Sequence, residues 1–308
     1  MIRKRAAQAA GLLERCYLCP RKCGVNRLSG QVGFCGIGSR ARVCSYGSHF
    51  GEEQALVGQK GSGAIFFSGC NLQCVFCQNH EISVAVQKHQ VPGNELDDGE
   101  LAAIMLDLQQ QGCANINLVT PTHVLPQILA ALAEAVGRGL DIPIIYNTSG
   151  YDSVASLRLL DGIVDCYMPD CKMFSEKKAA RYLRAKDYPQ VMQKAVVEMH
   201  RQVGDLVCDD QGMAVRGLLV RHLVMPGMVG ETGEIMRFLA EEISRDTFVN
   251  LMDQYHPCHR AGEFPEINRS LEPHEYEQAM QAARSSGLYR FEQRDIGRLL
   301  AMLARKPE

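Results

Sequence analysis

The chain has no tryptophan, and aromatic residues make up only 6% of its 308 residues. Proteins that read single strands of nucleic acid stack bases on aromatic side chains, and this composition offers few such platforms. A charge excess is also missing: 33 Lys and Arg stand against 35 Asp and Glu, for a formal net charge of −2. No long-range positive field therefore draws in nucleic acid. No apolar run is long enough to span a bilayer. The first residues, Met-Ile-Arg-Lys-Arg and an Ala-rich stretch, have the outline of a signal peptide, but Glu14 and Arg15 interrupt a short apolar segment. A short amphipathic helix is expected there, in a cytoplasmic protein with neither a membrane nor a nucleic-acid partner.

Cysteine, by contrast, is plentiful, at 13 residues. In a reducing compartment, clustered cysteines are more often metal ligands than disulfides. Seven fall into two groups, Cys16, Cys19, Cys23 with Cys35, and Cys70, Cys74, Cys77. Cys44, Cys113, Cys166, Cys171, Cys208 and Cys258 are dispersed. The length and the 46% hydrophobic content suit one large α/β domain with a smaller appendage.

The texture changes near residue 60. Residues 1–60 are rich in Gly, Arg and Cys, with little periodicity after residue 15, as expected of a Cys-rich region held by a metal. Residues 61–308 alternate apolar runs with helical stretches. Strands are expected at Ala64–Ser68, Asn115–Thr120, Pro143–Thr148, Ile163–Pro169, Gly217–Met225 and Phe248–Met252. These runs are short and β-branched, as in parallel strands buried on both faces. Helices are expected at Glu95–Gln111, Val124–Arg138, Ser153–Leu160, Ser175–Ala185, Pro189–Val203 and Gly233–Ser244, with closing helices at Glu272–Ser286 and Phe291–Ala304. Such βα repeats predict an α/β fold, a partial parallel (β/α)6 barrel with a small Cys-rich N-terminal extension.

Cys70, Cys74 and Cys77 follow the first strand with the spacing C-x3-C-x2-C, on the face where barrel enzymes assemble their chemistry. Three thiolates can hold three corners of a cubane cluster and leave one iron open. A zinc site completed by His80 is the alternative that spacing leaves standing.

The string Phe66-Phe-Ser-Gly-Cys-Asn-Leu-Gln-Cys-Val-Phe-Cys-Gln-Asn79 resembles the radical S-adenosylmethionine (SAM) superfamily, in its branch related to pyruvate formate-lyase-activating enzyme. The likeness extends to Cys16–Cys23, Gly33–Gly36, Asn117–His123, Tyr146–Tyr151 and Val220–Gly227. It implies a [4Fe–4S] cluster whose open iron is chelated by the amino and carboxylate groups of SAM. One electron then breaks the C5′–S bond, and a 5′-deoxyadenosyl radical abstracts hydrogen from a substrate. It also implies an electron donor such as flavodoxin or ferredoxin and, in the activating enzymes, a protein substrate that carries a glycyl radical.

The same likeness nominates cofactor-binding residues. Phe76 is the aromatic before the last cysteine. Thr120 stands where activating enzymes end their second strand in Gly-Gly-Glu, a motif absent here, and Thr122 or a backbone carbonyl could equally serve. His123 suits a cap of the next helix as well as a catalytic role. Asn147 and Ser149 resemble an Asp-Thr-Asn-Gly turn, and Ser and Gly there also suit a plain turn. Asp170 and Lys172 match the Asp-x-Lys that meets the SAM ribose and carboxylate; a surface ion pair is the plainer reading. Of Arg221 and His222, alternation should turn one into the barrel, and His222 is the choice made on the resemblance. Tyr255 and His256 are weaker candidates, for the substrate mouth or for packing beneath the last helix.

Cys16, Cys19, Cys23 and Cys35 supply four soft ligands, enough to enclose zinc or an auxiliary cluster. Zinc or another structural metal is favoured, and the activating enzyme lacks this group. Three functions compete: a radical SAM oxidoreductase, as a glycyl-radical activase; radical modification of a small molecule or another protein side chain; and a non-catalytic iron–sulfur or zinc binding protein.

Overall fold

The apolar runs form the sheet that positions the site. In the computed structural model, which describes residues 1–83 and 91–293, the strands are β1 (Ala41–His49), β2 (Ser62–Phe67), β3 (Asn94–Leu96), β4 (Ile116–Val119), β5 (Ile144–Thr148), β6 (Cys166–Pro169), β7 (Val207–Cys208), β8 (Ala214–Leu223) and β9 (Phe248–Met252). β2, β4, β5, β6, β8 and β9 pair in that order, all parallel. They are the six expected strands of a partial barrel, with ends shifted by a few residues.

The helices are α1 (Ile2–Gly11), α2 (Gln54–Val57), α3 (His80–Ser83), α4 (Asp98–Gln110), α5 (Leu125–Gly137), α6 (Val154–Leu157), α7 (Glu176–Leu183), α8 (Tyr188–Val203), α9 (Val229–Phe238) and α10 (Pro273–Ser285). The helix expected from Glu95 starts later because Asp97 caps it. Asp97 Oδ1 accepts from Glu100 N at 2.9 Å, and Glu100 Oε2 accepts from Asp97 N at 2.8 Å. The residues before the cap pair with β1 as β3 instead. α9 begins before Gly233 and runs into a π-helical turn at Leu239–Ile243. The closing helix expected at Phe291–Ala304 falls, from residue 294 onward, outside the described residues.

The N-terminal region is less irregular than its composition suggested. β1 pairs antiparallel with β2, from Val43 opposite Phe67 to His49 opposite Ser62, so it extends the sheet from within residues 1–60. α1 packs on α5. Between them, residues 12–40 hold one short 3-10 turn, Arg27–Ser29.

The two faces of each strand go to different places, as a period of two demands. Leu218 and Val220 on β8 face the helices, together with Leu118, Tyr146 and Tyr167 of neighbouring strands. Leu219 faces the lumen with Ile145, Cys166 and Met168, and α2 adds Ala55 and Leu56 to this inner cluster. Apolar packing thus fills one part of the lumen, and the cavity described below occupies the carboxyl ends of the strands.

One buried chain of hydrogen bonds ties the N-terminal loops to the first parallel strand. Arg27, 1% exposed, donates to Gly38 O and His123 O, each at 2.7 Å. His123, also buried, donates from Nε2 to Ser68 O at 2.8 Å. It is therefore a brace rather than a helix cap. Burial, helped by Arg27, pulls its imidazole down to about 4 against the Ser68 bond. An unfolded histidine takes up a proton below about pH 6.5, whereas this one stays neutral until about 4. Stability should therefore fall as pH drops from about 6.5 toward 4, by about 3 kcal/mol from this group. Urea unfolding at pH 7 and pH 4.5 should show a smaller difference for His123→Gln than for the parent chain. An identical pH difference in the two proteins would assign the acid sensitivity elsewhere.

Candidate active site and metal centre

β2 ends at Phe67, and the chain turns through Ser68 and Gly69 into Cys70. Gly69 has φ +78°, and a Cβ there would stand 2.5 Å from Cys35 O and 2.9 Å from Ile37 Cγ1. Only glycine fits this turn. The loop that follows is held from outside. Arg21 Nε donates to Asn71 O at 2.8 Å, Asn71 Nδ2 donates to Tyr151 O at 2.6 Å, and Val75 N donates to Tyr182 O at 2.9 Å.

Cys70, Cys74 and Cys77 line a cavity of about 990 Å³ at the carboxyl ends of the parallel strands. Phe76, Thr120, Asn147, Ser149, Asp170 and Lys172 line the same cavity, from the cysteine loop and the ends of β4, β5 and β6. Thr120 adopts φ +59°, a left-handed conformation uncommon outside glycine, and donates its N–H to Asn147 O at 2.8 Å. Ser149 Oγ lies 3.4 Å from Asn71 Oδ1. Lys172 Nζ pairs with Asp170 Oδ2 at 2.5 Å. Burial works against the ammonium, yet Asp170 and then Cys74 outweigh it and hold Lys172 above the usual lysine range. The Tyr188 hydroxyl lies 2.9 Å from Ser149 O and 2.7 Å from Asp170 O, bracing two strand ends together.

The donor set suits a cubane with an open corner. Burial pushes the Cys70 thiol up and the Cys74 thiol up to about 12, so a metal would take each as a thiolate against that cost. Among the described residues that line the cavity, these are the three cysteines. His80 does not complete the set: its Nδ1 lies 3.2 Å from Cys77 O, and its ring stacks on His259 at 4.9 Å. Among the described residues no three His, Cys, Asp or Glu side chains converge on a point that a single ion would fill. A cubane does not require it, because its thiolates sit on separate irons.

Three nominated residues lie elsewhere. His222 is buried with both ring nitrogens engaged, Nδ1 at 2.6 Å from Cys171 O and Nε2 at 2.9 Å from Thr232 Oγ1. It faces the helix layer, and Arg221 takes the lumen, on the same side of β8 as Leu219. Tyr255 is buried, with its hydroxyl on Ile267 O at 2.6 Å and its ring edge toward Phe76. His256 is exposed and outside the cavity lining.

The cavity also holds a charged network that no motif announced. Arg221 donates to Glu53 from Nε at 2.7 Å and from Nη2 at 2.6 Å, and also to Glu52. Asn250 Nδ2 adds a bond to Glu53 Oε1 at 2.7 Å. Burial disfavours a charged Glu52, but Arg221, followed by His49, brings its carboxyl down to about 2. The adjacent acids after Gly51 were the available signal, and they are too common a pair to be distinctive.

Three thiols at the end of the first parallel strand share a cavity with a charged pair at the end of the fourth, a layout that suits an iron–sulfur barrel enzyme. A profile of the Radical SAM superfamily matches residues 64–239. The chain belongs to that superfamily. An uncharacterized protein of Methanocaldococcus jannaschii is 32% identical over 288 residues, which cover 91% of this chain and 77% of that protein. Among solved structures, HydG, a maturase of the [FeFe]-hydrogenase, is similar with a TM-score of 0.50 at 12% identity, over 72% of this chain. SuiB of Streptococcus suis, bound to precursor peptide SuiA, gives 0.48 at 10% identity over 76% of this chain. The chain spans about half the length of these two structures, 48% and 49%. At such identities the HydG likeness speaks for the fold alone.

Arg221 supplies the test of this arrangement. Arg221→Met leaves Glu53 buried without its counter-charge and Glu52 with His49 alone, and should cost about 3–5 kcal/mol in urea unfolding. Adding Glu53→Gln should recover part of that loss. No recovery in the double variant would mean that the pair is not the source of the cost.

Proposed function

We propose that this protein cleaves SAM reductively at a cluster held by Cys70, Cys74 and Cys77, and that it abstracts hydrogen from a polar substrate in the same cavity. The observation that carries the reading is the shared space: one cavity of about 990 Å³ is lined by the three thiols, by Asp170 and Lys172, and by Arg221, Glu52, Glu53 and Asn250. When bound, a reduced [4Fe–4S] cluster and SAM supply carbon–sulfur cleavage and hydrogen-atom abstraction.

The chain's own residues orient and enclose. Lys172, kept charged by Asp170, offers a compact cation to a carboxylate. Asp170 can accept from ribose hydroxyls, and Asn147, Ser149 and the strained turn at Thr120 add polar groups at neighbouring strand ends. Phe76, buried beside Cys77, adds an apolar wall. The electron reaches the cluster from a donor such as flavodoxin or ferredoxin.

Two substrate classes fit. The likeness of Phe66–Asn79 to the activating enzymes supports a glycyl-radical protein as target. The buried Arg221, Glu53 and Asn250 network supports a small polar molecule or a single protein side chain. A glycyl-radical signal on incubation with a candidate protein would select the first class.

Anaerobic protein with about four irons per chain, given SAM and dithionite, should release 5′-deoxyadenosine. Cys74→Ala should abolish release. Lys172→Met should weaken SAM binding about tenfold or more, as expected for loss of a charged hydrogen bond. Iron-loaded protein that yields no 5′-deoxyadenosine would overturn the reading.

A further inference from the structure

We infer that Cys16, Cys19, Cys23 and Cys35 enclose a second metal centre, and that this centre clamps Ser68–Asn71 and so positions Cys70. The metal site stands by itself; the clamp rests on the reading of Cys70, Cys74 and Cys77 as cluster ligands.

The four thiols lie within each other's electrostatic reach: Cys19 senses Cys35, Cys23 and Cys16, and Cys35 senses Cys16 and Cys23. The backbone folds around them as a knuckle. Cys16 N donates to Val25 O at 2.9 Å, Gly24 N to Cys16 O at 3.0 Å, and Lys22 N to Cys19 O at 3.1 Å. Phe34 N lies 3.4 Å from Cys23 Sγ, and a Cβ on Gly33 would meet that sulfur at 2.9 Å. Apolar burial within residues 12–40 is slight: Leu13, Cys16 and Leu18 cluster with Leu12 and Val25 against them, and Ile37 joins the main core with Cys35 against it. Ordering residues 12–40 costs far more conformational entropy than so small a cluster returns.

An independent observation points to an anion at the site. Arg27 is 1% exposed, and its Nη2 has no partner among the described residues. Its guanidinium is within reach of Cys35. Arg21, half-buried in the knuckle, also has an Nη2 without a hydrogen bond, and its guanidinium stacks on Phe34 at 3.8 Å. A buried guanidinium nitrogen without a partner is costly. Four thiolates around a zinc ion or an oxidised cubane carry about two net negative charges, the partner that the Arg27 guanidinium beside Cys35 lacks. Four thiolates are enough to close either a zinc ion or a cubane.

The knuckle touches each side of Cys70. Cys35 O limits Gly69, Arg27 reaches Ser68 through His123, and Arg21 Nε donates to Asn71 O at 2.8 Å. With all four thiolates committed, the centre has no open position for SAM.

The first test removes the other cluster. The triple variant Cys70→Ala, Cys74→Ala, Cys77→Ala, prepared anaerobically and reconstituted, should retain about four irons with sulfide. One zinc per chain would also uphold the four-thiolate centre, as a closed ion in place of a cluster. A triple variant without bound metal would overturn it, whatever becomes of the radical reading. The clamp is tested in the full chain by Arg21→Gln, which removes no ligand. Metal at the N-terminal site should persist, while iron at Cys70, Cys74 and Cys77 falls at least twofold or its reduced electron paramagnetic resonance spectrum shifts. Unchanged occupancy and spectrum would overturn the clamp.

Discussion

The contact between Gly69 and the carbonyl of Cys35 is the constraint from which the site follows. A side chain at Gly69 would stand 2.5 Å from that oxygen, so the turn out of β2 has one tight path. This path sends Cys70 into the cavity and leaves Asn71 within reach of Arg21 and Tyr151. Everything downstream inherits the placement. Cys74 and Cys77 follow in the same short loop, pinned at Val75 by Tyr182 and Arg260. The strand ends then bring Thr120, Asn147, Ser149, Asp170 and Lys172 to the same mouth.

The fold was largely legible because a parallel strand buried on both faces writes itself as an uninterrupted apolar run. β2, β4, β5, β6, β8 and β9 all carry that signature. β1 does not: its burial alternates and its outer half is partly exposed, so Ala41–His49 reads as irregular sequence until β2 offers it a partner. The cysteine loop was legible from spacing and from its position after a strand. The orientation of Arg221 and His222 was not, because alternation separates the two faces without saying which is the lumen. The register settles it: Leu219 lies in the inner cluster, and two residues on Arg221 must share its side. Glu52 and Glu53 escaped notice because their partner lies over 160 residues away, at Arg221.

The pairs Asp170–Lys172 and Arg221–Glu53 both line the cavity, and they answer different demands. Asp170 and Lys172 are two residues apart at one strand end and partly exposed, so their mutual hold leaves edges free for another polar group. Arg221 and Glu53 come from distant parts of the chain, and the Glu53 side chain is 0% exposed. Such a pair adds little net stability over an apolar replacement, and its geometry is specific. It ties the segment before α2 to β8 and β9, through Asn250 as well.

The long reach of the hydrogen bonds around the cysteine loop sets an order for biosynthesis. Arg21 bonds to Asn71 and, at 2.7 Å, to the carbonyl of Arg184, while Arg27 waits for His123. On a ribosome that releases the chain from its N-terminus, both cysteine groups emerge well before those partners exist. The cavity that Cys70, Cys74 and Cys77 line is therefore complete only after more than half of the polypeptide has been translated. A nascent chain stalled before β6 would expose the side chains of Cys70, Cys74 and Cys77 with no built cavity around them.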